Sequence, residues 1–381
     1  MSILNVNQIQ PVGSGQTVTI SATNISAGSA TVTAGTFIGN LSSSGITSVS
    51  TSNLTVNGNA YPNAGPLSNR NLIINGNFAI NQRGGSNTTI NTYALDRWRS
   101  YGGPMGFTIS QQDVLSTLST SKYAMRFQRA SGNTQTNNTG VVQGIESKNC
   151  EGLAGTQLTV SFKARAGADL SSDLDARFFY GTGTDENPVG MTGQTNDGGT
   201  DFTLTTSFAT YTKTVTVPAS TTQISLTFAV TPTGTAGTND WFEVAEVQVE
   251  RGSVATPFEH RSYGDELARC QRYYYKIFEG TSTTYYGIGS TRGTNQGDFV
   301  VPFPVTMRTA PTALETHGTA SHFAFNFAGA NKAATGISFM AASTHSAVVN
   351  LSSSSNFVGT NIAGRALSTD ASAYLAWSAE L

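Results

Sequence analysis

Charge is what this chain has least of. Only 12% of its 381 residues are Asp, Glu, Lys or Arg, against about 25% in an average soluble domain, and none precedes Arg70. The formal net charge is −2, so no basic excess argues for nucleic acid or an anionic membrane surface. Two cysteines, Cys150 and Cys270, are too few for a disulfide scaffold in a chain of this length and read as buried free thiols. No run approaches the ~18 apolar residues of a membrane span, so no membrane insertion is expected. The opening MSILNVNQIQPVG has neither the basic nor the apolar region of a secretory signal. A chain made in a reducing cytoplasm is expected, one that would reach the outside by a route such as lysis.

Catalytic motifs are also missing. His260, His317, His322 and His345 show no metal-ligand spacing, and there is no G-x-S-x-G, H-E-x-x-H or phosphate loop. Glycoside hydrolysis needs only two facing acids. Asp169, Asp173 and Asp175 lie in AGADLSSDLDAR, Asp185, Glu186, Asp197 and Asp201 in the next loops, and Glu243, Glu246 and Glu250 along a strand. Linear order shows no converging pair, and clustered loop acids are commonly just solvated. Calcium at TNDGGTD or Asp240 suits an oxygen-rich loop, but the spacing departs from D-x-[DN]-x-[DN]-G. No catalytic residue, metal or cofactor is assigned, and the chain is not expected to be an enzyme.

What fills the space is Gly, Ser, Thr, Asn and Ala, which favours short strands and turns. Residues 1–69 carry an imperfect repeat, SATNISAG followed by SATVTAG, and then ITSVSTSNLTVNG with its closing Asn-Gly. Such segments are too poor in large side chains to bury a core within one chain. Disorder is one reading. The regular spacing of Val18, Ile20, Ile25, Val32, Phe37, Ile38, Leu41, Ile46, Val49, Leu54 and Val56 favours the other, a shaft of short strands wound with copies of itself.

Charge returns after the joint YPNAGPLSN. Residues 70–261 alternate short strand candidates with Gly-rich turns and predict a two-sheet jelly-roll sandwich. In QLTVSFKAR, Leu158, Val160 and Phe162 face one way and Thr159, Ser161 and Lys163 the other. Residues 262–278, SYGDELARCQRYYYKIF, predict one linking helix. Its stripe is Leu267, Cys270, Tyr274 and Phe278, with Asp265 and Glu266 in the first turn. Residues 279–381 return to strand-like text, with Phe299, Val301 and Phe303 alternating, and predict a smaller β-sandwich. The fold class expected is all-β with one helix.

Aromatic side chains are the candidate ligand contacts, because a flat ring stacks on the C–H face of a sugar. Trp98, Trp241, Trp377, Tyr285 and Tyr286 are the candidates. For each, core packing is the competing role. Tyr285 and Tyr286 are adjacent, so on a strand one of them must turn outward.

Particular stretches resemble a known family. NLIINGNFAINQRG (71–84) with YALDRW (93–98) resembles the opening of a β-sandwich domain of bacteriophage tail-fibre proteins. VQVERGSVATPFEHRSYGDELARCQRYY (247–274) resembles the end of that domain and its exit helix, with QVE in place of the usual QLE. FPVTMRTAPT (303–312) is similar to the segment that follows, and ITSVSTSNLTVNG to fibre repeats of phages of marine and cyanobacterial hosts. The sandwich is also similar in style to carbohydrate-binding modules.

The resemblance implies a homotrimeric virion fibre. Its N-terminal region, 1–69, would join the tail or an adaptor protein and form the shaft, and 279–381 would be the distal tip. A host-surface glycan or lipopolysaccharide is the implied partner, with no nucleic acid involved. Another structural virion protein (head fibre, decoration protein or tail adaptor) is the alternative, ahead of a polysaccharide depolymerase.

Overall fold

The computed structural model describes residues 69–103, 106–327, 329–354 and 359–381, and the backbone of 53–56 and 59–62. All described residues lie in the unit 51–381. A hairpin of β1 (Asn53–Val56) and β2 (Asn59–Pro62) is seen. The rest of the expected shaft lies outside the described residues.

Strands β3 (Tyr93–Leu95), β4 (Trp98–Gly102), β5 (Phe107–Asp113), β6 (Tyr123–Arg129) and β7 (Thr139–Ile145) come next. They are followed by β8 (Gln157–Ala166), β9 (Leu174–Gly181), β10 (Thr195–Asn196) and β11 (Asp201–Phe202), then β12 (Ala209–Thr216), β13 (Gln223–Val230) and β14 (Trp241–Arg251). They form two antiparallel sheets. One has the order β12-β8-β14-β6-β5; the other runs β10-β9-β13-β7-β4-β3, with β11 also on β9.

Alternation builds the core between the sheets. Leu158, Val160 and Phe162 of β8 meet Ala176 and Phe178 of β9 and Leu226 and Phe228 of β13 in one buried cluster. Each fully buried Leu or Phe contributes about 1.5–3 kcal/mol, so this sandwich needs few surface charges to hold it. The outer face of the first sheet is only partly open: Thr159 and Ser161 are also buried.

In β14 the alternation changes phase. Phe242 and Val244 face the core, and then Val247 and Val249 do. Ala245 pairs with Lys163 and Gln248 with Ser161, so three steps on β14 oppose two on β8. This is a β-bulge. Glu246 within it has a φ of 51°, a left-handed conformation that costs a non-glycine roughly 1–2 kcal/mol.

The helix, α1, is shorter than its apolar spacing predicts: it runs Tyr263–Gln271. Ser262 caps it, its Oγ accepting from Asp265 N at 3.2 Å. Leu267 and Cys270 pack on Ile74 and Ile80 as an amphipathic stripe should. After Arg272 the chain extends into β15 (Tyr274–Ile277). The correction has a local cause: the aromatic and β-branched text of Tyr-Tyr-Lys-Ile suits a half-buried strand better than a helix, and β15 finds a partner in the last strand. Tyr274 is therefore buried on a sheet, and Phe278 is half exposed.

The remaining strands are β16 (Tyr285–Thr291), β17 (Gln296–Pro302), β18 (Glu315–Thr316), β19 (Phe323–Phe327) and β20 (Ala330–Ala333). The chain then forms β21 (Gly336–Ala342), β22 (Ser346–Ser352), β23 (Ala363–Ser368) and β24 (Leu375–Ser378). A seven-stranded sheet, β20-β19-β23-β16-β17-β22-β21, packs against a three-stranded one, β15-β24-β18. Phe299, Val301, Phe323, Phe325 and Val349 meet Leu375 and Trp377 in this second core. The described part of the chain is thus all-β with one helix.

A polar joint ties the two sandwiches together. Gln82 Nε2 donates across it to Tyr274 O at 2.8 Å, while on the side of the central sandwich Asn71 Nδ2 donates to Val247 O at 3.0 Å and Arg261 Nη1 to Ile73 O at 2.9 Å. Glu266, itself buried, accepts from Asn75 N. Arg97 is 1% exposed. Its guanidinium lies 3.6 Å from the Tyr273 ring centre, donates to Gly144 O at 2.6 Å and pairs with Glu380. Burial disfavours its charge, but Glu380, Tyr273 and Tyr93 together outweigh that and hold the guanidinium more firmly protonated than usual. Arg308 donates to Ala379 O and Glu380 O at 2.8 and 2.7 Å, fastening the segment after β24 to the same place.

Candidate functional site

The five aromatic candidates fall in three environments. Trp98 is fully buried, its Nε1 donating to Asn75 O at 3.2 Å and its ring 5.2 Å from Phe78. Trp377 is fully buried in the other core, 6.2 Å from Tyr275 and 5.5 Å from Phe303. Neither ring has a face free for a ligand, which corrects their place among the candidates. The reason is general: large rings fill the space between sheets, where their burial is worth most.

Trp241 is half-buried at the edge of the central sandwich. Arg126 lies 4.1 Å and Arg165 5.6 Å from its ring centre. Both arginines are held by Glu243, at 2.6 and 2.7 Å, and Glu243 is fully buried. The ring is thus already engaged by cations of its own chain.

The adjacent tyrosines split as strand geometry requires. Tyr286 is buried, its ring 5.7 Å from Phe323, so it too leaves the set of open contacts. Tyr285 is 52% exposed, and the Arg365 guanidinium lies 4.6 Å from its ring centre. It opens onto the outer face of the seven-stranded sheet. There Ile288 is 77%, Val300 47% and Met340 43% exposed. Ile288 stands opposite both Arg365 and Val300, and Val300 opposite Val348. An apolar row therefore crosses three adjacent strands, β16, β17 and β22, with Tyr285 and Arg365 at its β23 end.

Apolar side chains in register on an open face are unusual for a surface that meets only water. The face can stack on the apolar side of a ring, through Tyr285, and donate hydrogen bonds through Arg365. Sequence reasoning found Tyr285 and missed Arg365, Ile288 and Val300. The alternation of β16 and β17 carries a signal for the last two, because it places apolar residues on both faces.

The acids considered for catalysis or calcium are mostly structural. Glu250 Oε1 accepts from Thr256 N and Gln248 Nε2, both at 2.8 Å. Asp240 pairs with Arg129 at 2.7 Å, both 1% exposed. Asp175 pairs with Arg177 at 2.9 Å, and burial still raises its carboxyl above the ordinary value. Among the described residues no three His, Cys, Asp or Glu side chains are grouped as a metal site requires. His317 and His322 stack with ring centres 4.7 Å apart, and His322 Nδ1 is 3.5 Å from Asp370. Cys150 and Cys270 are buried free thiols, and burial pushes the Cys150 thiol up to about 12.

No family model and no curated protein matches this chain. Solved structures do resemble parts of it. A CBM4 structure is 19% identical over 47% of this chain and 98% of its own, with a TM-score of 0.30. The enzymatically active domain of Bacteriophage CBA120 tailspike protein 4 is 16% identical over 50% of this chain and 24% of its own, at 0.33. The CBM22-1 xylan-binding domain of Paenibacillus barcinonensis Xyn10C is 11% identical over 45% of this chain and 95% of its own, at 0.28.

Proposed function

We propose that the chain is a bacteriophage tail-fibre protein: a homotrimeric, non-catalytic virion component that contacts a glycan or lipopolysaccharide of the host surface. Its N-terminal region would join the tail, and the protein would act outside the host cell after release from the cytoplasm in which it is made. One observation carries this reading. The four stretches by which the chain resembles fibre domains, 71–84, 93–98, 247–274 and 303–312, meet at one joint. Leu72 N donates to Val249 O at 2.8 Å, Gln82 N to Asp96 Oδ2 at 2.7 Å, and Arg308 N to Arg272 O at 2.8 Å. The resemblance thus rests on residues that pack together, which is what a shared domain junction requires.

The outer face of the seven-stranded sheet, with Tyr285 and Arg365, supplies the proposed host contact. Three copies would present it three times, so weak single contacts would add up to firm attachment. The test uses the full chain. Its mass in solution should be three times the 39.9 kDa of one protomer, added protein should block adsorption of the phage, and Tyr285→Ala should weaken that block at least tenfold. A monomer at high concentration would sink the trimer, and labelling on the capsid instead of the tail would replace the fibre by another structural virion protein. Release of reducing ends from host glycan would restore the depolymerase reading.

A further inference from the structure

We propose that Lys213 and Asp197 form an intramolecular amide bond that ties the two sheets of the central sandwich together. The pair spans the open side between them. Lys213 is on β12, the edge strand of the five-stranded sheet, and Asp197 directly follows β10, at the edge of the other. Lys213 Nζ lies 2.6 Å from Asp197 Oδ2, and the two side chains are only 8% and 9% exposed.

This pair differs from a solvated surface ion pair in three ways. Lys213 points inward: Tyr211 and Val215, on the same face of β12, pack against the core. Its Nζ also reaches across to β9, donating to Ala176 O at 2.8 Å. The approach to Asp197 is not a hydrogen bond, because Oδ2 is buried and meets no donor at hydrogen-bonding angles. The other oxygen, Oδ1, is held by backbone, accepting from Phe178 N at 3.3 Å and Gly199 N at 3.0 Å. The carboxyl is thus fixed with Oδ2 toward the amine and Oδ1 toward two N–H donors.

That arrangement suits condensation. A proton passing from the ammonium to Oδ2 removes two charges from a site where both are costly, and it leaves the amine in its nucleophilic form. The Nζ lone pair attacks Cγ, and the C–O electron pair moves onto Oδ1, where the two N–H groups stabilise the negative charge. The Cγ–Oδ2 bond then breaks as the carbonyl reforms. Oδ2 leaves with its own proton and one from the nitrogen, as water, so no oxidant or other reactant is consumed. Asp175, next to Ala176, is the acid that can carry this second proton. Burial raises its carboxyl above the ordinary value, and Arg177 and Lys213 are among the nearby charges that oppose the rise. The bond would join strands that no backbone ladder connects, and it does not depend on the fibre reading.

The test is the intact mass of the full chain in denaturant. The parent should be lighter than its sequence by one water. Chymotrypsin, cutting after Phe202, should leave residues 197 and 213 in one branched peptide. Asp197 precedes Gly198, and an aspartyl succinimide would lose the same water, so the variants have to decide. Lys213→Arg and Asp197→Ala should each show the full mass of their sequence, whereas a succinimide would persist in Lys213→Arg. Asp175→Asn should contain a larger unbridged fraction than the parent. The proposal is overturned if the parent carries its full sequence mass, if the branched peptide is absent, or if the deficit survives in Lys213→Arg. An Asp175→Asn chain bridged as completely as the parent would overturn the part given to Asp175.

Discussion

Replacing Arg97 by alanine removes three contacts from the joint at once: the pair with Glu380, the hydrogen bond to Gly144 O and the stacking on Tyr273. Breaking a buried ion pair costs about 3–5 kcal/mol, mostly because the remaining charge is stranded. Here Glu380 keeps Arg83 at 3.2 Å, which lowers the cost. The lost cation–π contact, about 2 kcal/mol when desolvated, raises it again. A net loss of about 3–5 kcal/mol is therefore expected, a large share of the roughly 5–15 kcal/mol that holds a typical protein folded. Urea unfolding gives the total, and hydrogen exchange read on β13 and β19 shows where it falls. With the joint broken, the two cores should exchange at different rates instead of opening together. Arg97→Met with Glu380→Leu should recover at least half of the loss, since apolar replacements of a buried pair are often neutral. A loss under about 1 kcal/mol from Arg97→Ala, well below the range for a broken buried pair, would refute the reasoning.

Two further outcomes are expected. Burial pushes the Glu146 carboxyl up, but its hydrogen bonds from Arg272 at 2.5 Å and Tyr273 at 2.8 Å outweigh this and hold it below its ordinary value of 4.5. Its contribution is thus present above that pH and lost as pH falls through the lower folded value; urea unfolding of Glu146→Gln should show a shallower acid loss than the parent does. At Gly140 in β7 an added Cβ would sit 1.9 Å from Phe228 O and 2.7 Å from Ala229 Cα. Since backbone would have to shift, Gly140→Ala should cost about 1–3 kcal/mol or more in thermal unfolding, and an unchanged melting temperature would contradict that.

Much of the fold was legible in the text because its signals are local. Leu158, Val160 and Phe162 alternate as a strand does, and they face the core. Ser262 followed by Asp265 and Glu266 marks a helix start, and α1 begins there. Where the helix stops was harder to read. Leu267, Cys270, Tyr274 and Phe278 keep a helical spacing, but β24, far along the chain, pairs with Tyr274–Ile277 and makes it a strand. The apolar spacing is compatible with either element, and a partner distant in the chain decides between them.

The site was less legible for the same reason. Sequence alone determined that the chain is β-rich, poorly charged and built on alternating short strands, because side-chain period and turn chemistry are properties of neighbouring residues. It also determined that one of Tyr285 and Tyr286 must turn outward. Only the tertiary structure decided which one, and that Trp98 and Trp377 fill cores. It brought Arg97 to Glu380 across 283 positions, and it paired Glu246 with Lys163 at 3.0 Å. Each of these depends on which strands become neighbours, and burial and pairing between distant segments follow from that packing.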